Sequence, residues 1–159
     1  MTIKLPETIK MVITDFDGVV TDNCVYINEN FSMSRKLNFK DIMAFSQLRK
    51  NGYEVAIISG EKNSAIEKIA QTFNIKEIHQ DIRIKIDILK DIIERYNLSQ
   101  QEYVYIGDDV NDLECLEYAK YKITVPSAVE KVKSLKGIQI TSSKGGEGAF
   151  REVADCLIG

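Results

Sequence analysis

The sequence of 159 residues has no tryptophan and only two prolines, one histidine and three cysteines. None of its apolar runs approaches the roughly 18 residues that a membrane-spanning helix requires. The first ten residues are interrupted by Lys4, Pro6 and Lys10, so they lack the apolar core of a secretion signal. We therefore expect a cytoplasmic protein with no membrane partner.

The three cysteines, Cys24, Cys115 and Cys156, are far apart and show no C-x-x-C spacing. This pattern argues against a disulfide framework or a thiolate metal site. Each cysteine is expected to be a small apolar residue in a reducing compartment. The single histidine, His79, is expected to be structural.

Charge of neither sign dominates, because 21 Lys and Arg face 24 Asp and Glu, for a net charge of −3. That balance gives no reason to expect nucleic acid or an anionic membrane as a partner. The hydrophobic share of 44% and the charged share of 28% are typical of a globular protein. The length suits one domain, so we expect residues 1–159 to form a single unit.

Buried, non-alternating strands alternate with amphipathic helices along the chain. Strands are predicted at 9–14, 54–58, 76–79, 103–106, 121–125 and 138–140; a hairpin at 24–27 and 33–39; and helices at 63–73, 82–96, 113–119, 128–135 and 149–157. A further helix is predicted to be capped by Asp41 and to end at Asn51-Gly52. This order predicts an α/β fold, a three-layer α/β/α arrangement around a mainly parallel sheet. Ligands bind such sheets beyond the carboxyl ends of the strands.

Two acidic segments follow two of these strands. The first reads Asp15-Phe16-Asp17-Gly18, and its paired carboxylates at a glycine turn could share a Mg²⁺ ion while one of them attacks phosphorus. The second is 107–112, G-D-D-V-N-D, in which Asp108 could complete the metal site. The alternative interpretation is structural: an Asp-rich turn in the first segment, and a helix cap at Asp109 or Asp112 in the second.

Two further positions complete the set. Ser59-Gly60 ends the second long strand, where a hydroxyl and free backbone N–H groups at a helix start could hold phosphate, although such a serine also serves as a plain helix cap. Lys85 lies in the first turns of the helix predicted at 82–96. Its ammonium could neutralise a nucleophile and a phosphoryl group, although a helical lysine is more often a surface charge.

Together, Asp15, Asp17, Ser59, Lys85 and Asp108 resemble the four motifs of the haloacid dehalogenase superfamily of phosphatases. The resemblance implies a Rossmann-like fold in which Asp15 is the nucleophile and Asp17 the general acid/base. It implies that Asp15, the backbone carbonyl of Asp17 and Asp108 hold Mg²⁺, and that Ser59 and Lys85 hold the phosphoryl oxygens.

The resemblance extends from Ile9 to Leu157 and is to the capless branch of the superfamily. It rests on D-F-D-G-V-V-T-D, L-N-F-K-D, I-S-G-E-K, G-D-D-V-N-D and G-G-E-G-A-F-R-E, with a hairpin at about 23–39 in place of a cap domain. It implies hydrolysis of the terminal phosphate of a 2-keto-3-deoxy sugar acid, an octulosonate 8-phosphate or a nonulosonate 9-phosphate, through an aspartyl-phosphate. It also implies a homotetramer whose hairpins and C-terminal tails cover neighbouring sites, and a place in lipopolysaccharide or sialic acid biosynthesis.

The choice of sugar acid depends on few positions. Glu61, beside Gly60, resembles the enzymes that act on nine-carbon acids, although a glutamate there also suits a helix N-terminus. Lys40 and Arg151 are candidates for binding the sugar carboxylate from a neighbouring subunit. The chain departs from the branch at four positions: an arginine is usual at Ile69, and glycine is usual at Asn23, Ile42 and Asp81.

Two other functions fit parts of this pattern. The chain could be a non-catalytic module for oligomerisation or regulation, associated with a sugar-acid cytidylyltransferase; the presence of all five motif residues argues against this. It could also be a flavodoxin-like phospho-acceptor, but there the phosphorylated aspartate follows the third strand, whereas Asp15 follows the first.

Overall fold

Six strands of largely buried residues form one parallel sheet in the computed structural model, which describes residues 3–159. In chain order the strands are β1 (Met11–Thr14), β2 (Tyr26–Ile27), β3 (Met33–Ser34), β4 (Glu54–Ile58), β5 (Glu77–His79), β6 (Tyr103–Ile106), β7 (Tyr121–Thr124) and β8 (Gln139–Ile140). The sheet runs β5-β4-β1-β6-β7-β8, while β2 and β3 pair with each other as a separate antiparallel hairpin. Thr14 at the end of β1 lies beside Ile57 and Ile106, so three strands end together.

Helices cover both faces of the sheet. They are α1 (Phe39–Lys50), α2 (Ser64–Phe73), α3 (Lys85–Arg95), α4 (Leu113–Tyr118), α5 (Glu130–Lys133) and α6 (Ala149–Ile158). One face packs against α1, α2 and α6, where the rings of Phe45 and Phe150 lie 4.5 Å apart, and the other packs against α3, α4 and α5. The predicted three-layer α/β/α fold is confirmed, because β1, β4 and β6 each contribute side chains to the apolar cores on both faces of the sheet.

Most predicted elements occur within a few residues of the expected bounds, but the start of α1 differs. Asn38 caps this helix through its side chain, which accepts the N–H of Lys40 at 2.9 Å. The prediction that Asp41 is the cap is wrong: Asp41 lies inside the helix and is fully buried. Its carboxylate accepts the N–H groups of Gly148 (2.9 Å) and Arg151 (3.1 Å), so it stabilises the start of α6 instead.

The segment between β1 and α1 contains the hairpin and no further domain. The predicted hairpin is confirmed, with strands of two residues each and exposed side chains. Cys115 is buried as expected and Cys156 is half-buried, but Cys24, just before β2, is exposed, so the expectation that all three pack as small apolar residues is wrong for Cys24. Among the helices of residues 3–159, none combines the length and apolar character needed to cross a bilayer.

Candidate active site

The candidate site lies at the carboxyl ends of β1, β4 and β6. From β1 the chain continues to β4 on one side of the sheet, whereas from β6 it continues to β7 in the opposite direction. This is the crevice in which parallel α/β sheets bind ligands. A cavity of about 420 Å³ opens there. It is lined by Asp15, Asp17, Asn23, Ser59, Gly60, Glu61, Asp81, Ile82, Arg83, Asp108, Asp109 and Asn111.

The Lys85 ammonium is the central cation of the site. Lys85 is the first residue of α3, its side chain is fully buried, and Nζ lies 2.9 Å from Asp15 Oδ1 and 2.8 Å from Asp112 Oδ1. Asp112 also accepts the Tyr105 hydroxyl at 2.7 Å and the backbone N–H of Asp108 at 3.1 Å. Asp112 therefore fixes Lys85 against Asp15 and ties both to the loop that follows β6.

The hydrogen bonds to the Asp15 carboxylate fall on one oxygen. Oδ1 accepts the N–H of Phe16 at 2.7 Å and the ammonium of Lys85 at 2.9 Å. Among the described residues no N–H or ammonium donor contacts Oδ2, and Asp15 lines the cavity. That arrangement suits a nucleophile, which needs a fixed position and a free oxygen.

Asp108 brings a third buried carboxylate to the same point. One oxygen each from Asp15, Asp108 and Asp112 lie within 4.8 Å of one another, and Asp108 Oδ1 is buried without a hydrogen-bond partner. The approach is so close that a Cβ atom on Gly18 would lie 1.9 Å from Asp108 Oδ2. Gly18 also has a φ of +94°, so both its conformation and its contact require glycine.

Burial and like charge shift the pKa values of these groups. Burial, followed by the Asp112 charge, raises the pKa of Asp15 well above its ordinary value, and Lys85 opposes that rise. Burial and then the charges of Asp112 and Asp109 raise the pKa of Asp108 to about 7. Burial lowers the pKa of Lys85, but the carboxylates of Asp112 and Asp15 outweigh it, so the net shift is upward.

These residues fit a magnesium ion. The cluster offers hard carboxylate oxygens, which Mg²⁺ prefers, and one ammonium does not balance three carboxylates. The buried Asp108 Oδ1 lacks a partner, and an unpaired buried oxygen of this kind is what a metal ligand presents before the ion binds. Asp108 and Asp15 are suited to hold the ion, since each has one oxygen that accepts no N–H or ammonium among the described residues. Both oxygens of Asp112 are occupied, by Lys85 and Tyr105 and by the Asp108 N–H.

The carboxylate of Asp17 lies apart from that cluster. Its Oδ1 accepts the Thr21 hydroxyl and the Nε–H of Arg35, both at 2.9 Å. Arg35 follows β3, so this contact joins the hairpin to the loop after β1. Asp17 lines the cavity with its side chain 19% exposed, where it can exchange protons with a bound molecule.

Ser59 closes the opposite wall of the cavity. It is buried, and its hydroxyl donates to the Glu61 carbonyl at 2.8 Å and accepts the Glu61 N–H at 3.2 Å. The hydroxyl therefore shapes the turn in this state, and Asn63, not Ser59, caps α2. Gly60 and the exposed Glu61 also line the cavity.

Lys40 and Arg151 do not reach this cavity within one chain. They line a separate, smaller depression beside α6, and Arg151 Nε donates to Asp155 at 2.6 Å. Ile69 is likewise absent from the cavity lining. It is buried against the apolar side chains between α1 and α2, so an arginine at this position would not face the Asp15 cavity of its own chain.

Two departures from the family pattern preserve the backbone conformation that glycine would supply. Asn23 has a φ of 65° and Asp81 a φ of 58°, both in the left-handed region. Asparagine and aspartate adopt this region more readily than other side chains. Both residues therefore suit positions at which the family resemblance leads us to expect glycine.

The loop before α6 supports the nucleophile loop. The Gly146 N–H donates to the Val19 carbonyl at 3.1 Å, and a Cβ atom on Gly145 would lie 1.8 Å from the Gly18 carbonyl oxygen. The G-G-E-G segment is thus packed directly against the backbone of 18–22. Gly145 and Gly146 must be glycine because a Cβ atom at either position would clash with the backbone of 18–22.

Sequence reasoning did not assign site roles to Asp112 and Arg35. The sequence predicts at most a helix cap at Asp109 or Asp112, and the structure confirms it: the Asp109 side chain accepts the N–H of Val110 at 2.6 Å, and the Asp112 side chain accepts the N–H of Asp109 at 3.4 Å. The signal for a further role of Asp112 is its place in the second acidic segment, four residues after Asp108. No local signal marked Arg35, because its contact with Asp17 spans 18 residues.

His79 lies at the edge of the sheet, in a second polar group. Its Nε2 is 2.8 Å from Glu77 Oε2, and Glu77 also accepts two hydrogen bonds from the guanidinium of Arg95, at 2.7 and 2.9 Å. This group joins β5 to the end of α3, which agrees with a structural role for His79. The ion pair with Arg95 lowers the pKa of Glu77 to about 2.

A parallel α/β sheet with buried carboxylates, a buried lysine and an uncovered cavity at its carboxyl edge is the architecture of a metal-assisted phosphoryl-transfer enzyme. The comparisons with known proteins agree. Residues 77–151 match the family model of haloacid dehalogenase-like hydrolases. A structure of a proposed haloacid dehalogenase family hydrolase from Streptomyces avermitilis is 32% identical, covers 98% of this chain and 95% of its own, and has a TM-score of 0.88.

Two further relatives are named more narrowly. The 3-deoxy-D-manno-octulosonate 8-phosphate phosphatase of Escherichia coli K12 is 29% identical over 152 residues, which are 96% of this chain and 80% of that protein. The phosphatase of the same name from Moraxella catarrhalis, solved with magnesium, phosphate and the sugar acid, is 27% identical with a TM-score of 0.88, covering 95% of this chain and 86% of its own. The chain belongs to the haloacid dehalogenase-like hydrolases, and its similarity to these enzymes places it among the phosphoric monoester hydrolases.

Proposed function

We propose that this protein is a Mg²⁺-dependent phosphatase that removes the terminal phosphate of a 2-keto-3-deoxy sugar acid. The observation that carries the proposal is the buried Lys85 ammonium between Asp15 and Asp112, next to the unpartnered Asp108 oxygen. A structural ion pair would leave no buried carboxylate unpaired. Here the site has acceptor capacity for a cation and a free Asp15 oxygen for an incoming phosphoryl group.

In the proposed reaction, Oδ2 of Asp15 forms a bond to phosphorus while the bond from phosphorus to the sugar oxygen breaks. Asp17 gives its proton to that leaving oxygen, since an alkoxide leaves poorly without one. Water then attacks the aspartyl-phosphate, Asp17 takes up the water proton, and phosphate departs with Asp15 restored. Lys85 keeps Asp15 in place and offsets charge on the phosphoryl oxygens, and the Ser59 hydroxyl and the backbone N–H of Gly60 contact those oxygens.

When bound by Asp15, Asp108 and the backbone carbonyl of Asp17, Mg²⁺ would neutralise negative charge at the phosphoryl group. Apart from Lys85, which is paired with Asp15 and Asp112, the chain supplies little positive charge at the cavity. Its lining contains six carboxylate residues, and the only basic residue among them is Arg83. A phosphate dianion would be repelled from so acidic a cavity, which is why we expect activity to require the ion.

The test is Mg²⁺-dependent release of phosphate from 3-deoxy-D-manno-octulosonate 8-phosphate and from nine-carbon 9-phosphates. Asp15→Asn should lower kcat on the order of 10³-fold or more, because it removes the nucleophile. Asp87→Asn is the control, since Asp87 is exposed on α3 and lies outside the cavity lining. A wild-type rate no higher than that of Asp15→Asn would reject catalysis and favour a non-catalytic module.

We propose that Glu61 selects among these acids and favours those of nine carbons. It lies exposed at the cavity rim, where its carboxylate can accept hydrogen bonds from sugar hydroxyls and repel a carboxylate placed too close. Glu61→Arg should shift the ratio of kcat/KM values for 9-phosphates and 8-phosphates by about tenfold toward the shorter acid. An unchanged ratio would remove the basis for the nine-carbon preference.

We further propose that the domain of residues 1–159 works as a homotetramer. Large apolar side chains are exposed around the hairpin, among them Tyr26, Ile27, Phe31 and Met33, and Phe31 is 86% exposed. A contiguous apolar surface of this kind is typical of an interface. A neighbour covering it would close the cavity and could bring in its own Lys40 and Arg151. Phe31→Ser should lower the mass measured by light scattering, and an unchanged mass would place the interface elsewhere.

A further inference from the structure

Arg35 differs from the residues around it on the hairpin. Met33 is 57% exposed and Phe31 86%, whereas the Arg35 side chain is only 11% exposed and points under the hairpin to the loop after β1. Its Nε–H donates to Asp17 Oδ1 at 2.9 Å. An arginine gives up hydration and rotamer freedom to adopt such a position, so the contact is a built feature of the site.

Thr21 holds the same oxygen from the other side. Its hydroxyl donates to Asp17 Oδ1 at 2.9 Å and itself accepts the N–H groups of Gly18 (3.3 Å) and Asn23 (3.2 Å). Thr21 is fully buried, so it is a rigid support. Among the described residues, both hydrogen bonds to the Asp17 carboxylate therefore fall on Oδ1, and Oδ2 is left to exchange a proton.

A general acid must be held closely, because an error of about 1 Å in its position can cost about a hundredfold in rate. Thr21 alone holds Oδ1 by one hydrogen bond. Arg35 adds a second hydrogen bond to the same oxygen, and it does so from the hairpin, the one element that the family pattern places over an uncapped site.

We propose that Arg35 is a positioning residue that holds Asp17 in the orientation from which it transfers protons. The proposal rests on the proposed role of Asp17 as general acid/base. It makes the seating of the hairpin a condition for proton transfer, since Arg35 reaches Asp17 only when the hairpin lies against the loop after β1.

The adjacent residue provides a matched control. Lys36 pairs with Asp22 of the same loop at 3.0 Å, so it too joins the hairpin to the loop. Its side chain is 53% exposed, however, and Asp22 does not line the cavity. An exposed ion pair of this kind contributes little, so Lys36→Gln removes a hairpin contact without removing a contact to Asp17.

The first experiment is a double-mutant cycle on a phosphorylated sugar acid, measured in single turnover with enzyme in excess so that slow variants stay measurable. Arg35→Gln should lower the single-turnover rate constant of phosphoryl transfer about tenfold or more, while KM, measured separately in the steady state, changes less than about twofold. In an Asp17→Asn background the same substitution should cost less than about twofold, because the residue it positions is gone. Arg35→Lys should recover part of the loss, and Lys36→Gln should retain the wild-type rate.

The second experiment changes the leaving group. 4-Nitrophenyl phosphate releases a stable phenolate, which needs little protonation, so the first step should lose less than about twofold in Arg35→Gln. Equal losses on both substrates would overturn the proposal, as would additive effects in the cycle. A rise in KM alone would also overturn it, since that would mean direct contact with the substrate.

Circular dichroism and the thermal midpoint of each variant separate these effects from unfolding, and Arg35→Lys gives a second variant if Arg35→Gln does not fold. The same rates distinguish failure of this proposal from failure of the proposed function. If Asp17→Asn keeps the wild-type rate on the sugar acid, the assigned general acid is wrong. If Asp17→Asn lowers the rate while Arg35→Gln keeps the wild-type rate, only the role of Arg35 is rejected.

Discussion

Replacing Asp108 by asparagine should stabilise the metal-free protein and abolish its response to Mg²⁺. Asp15, Asp108 and Asp112 are buried together around the single ammonium of Lys85, and the Asp108 Oδ1 atom has no partner. Asparagine keeps the shape of the side chain and removes its charge. The fold should benefit from losing a carboxylate that only the metal compensates.

The magnitude follows from the geometry. Unit charges 4.8 Å apart repel by about 3 to 4 kcal/mol at an effective dielectric constant of about 20. The pKa of Asp108, raised from 3.8 to about 7, leads to a similar figure, because each pH unit corresponds to about 1.4 kcal/mol and the shift to about 4 kcal/mol. Since the folded state binds this proton more tightly than the unfolded state, the stability of the metal-free protein should fall as pH rises from about 4 to about 7.

The assay is urea unfolding in the presence of a chelator and with excess Mg²⁺, at pH 5 and at pH 8. At pH 8 without metal, Asp108→Asn should raise the free energy of unfolding by at least about 1 kcal/mol, and by up to about 4 kcal/mol. At pH 5 the gain should be less than half as large, because the folded wild-type carboxyl is then still protonated and only the part of the loss between about pH 4 and pH 5 has occurred. Mg²⁺ should stabilise the wild type at pH 8 by mass action and leave Asp108→Asn unchanged.

Glu61→Gln provides the control, because Glu61 lies at the exposed rim of the cavity, outside the buried cluster. It should keep the full Mg²⁺ response and change stability little. A less stable Asp108→Asn at pH 8 in the chelator would refute the reasoning about charge crowding. A normal Mg²⁺ response in that variant would show that the ion binds elsewhere.

Three further predictions concern stability. Gly18→Ala should lower the free energy of unfolding in urea by at least about 2 kcal/mol, because a clash with Asp108 adds to the strain of a positive φ. Gly52→Ala is the control: Gly52 has a φ of +85° and no atom within 4 Å of an added Cβ, so the loss should be only the strain of about 1 kcal/mol. Glu77, with its pKa lowered to about 2 by Arg95, should add stability above about pH 4.5 that is lost as pH falls toward 2, and Glu77→Gln should flatten that fall in acid titration; an unchanged profile would contradict it. Asp41→Asn should cost about 1 to 3 kcal/mol, because one amide oxygen cannot accept both N–H groups at the start of α6, and an unchanged thermal midpoint would contradict it.

Local sequence signals were sufficient to predict the strands of the sheet and the site residues that follow them. The buried runs that became β1, β4 and β6 were recognisable because strands covered on both faces need apolar residues throughout. Since these strands are parallel and adjacent, Asp15, Ser59 and Asp108 had to meet at one edge once the fold class was known. The pairing of β1 with both β4 and β6 confirms that reasoning.

Contacts between distant segments could not be predicted in this way. Asp41 has the sequence features of a helix cap, yet its carboxylate accepts N–H groups more than 100 residues away. The predicted start of α1 is wrong because Asn and Asp are both good caps, so the sequence offers Asn38 and Asp41 equally. Only the packing of α6 against Asp41 distinguishes them. Burial raises the pKa of Asp41, which the backbone hydrogen bonds only partly offset.

The sequence pattern does not predict which hairpin side chains face inward, because these positions are defined by contacts with distant residues. The hairpin strands are two residues each, too short for any alternation of side chains to reveal which of them turns inward. The inward residue, Arg35, is defined only by its partner, and that partner is Asp17. An uncapped phosphatase must still exclude water and hold its general acid, and a short flap can do both if one of its side chains reaches the catalytic loop. The exposed apolar side chains and the inward-facing Arg35 of this hairpin are what the proposed flap requires: the first suit the proposed contact with a neighbouring subunit, and the second joins the hairpin to Asp17.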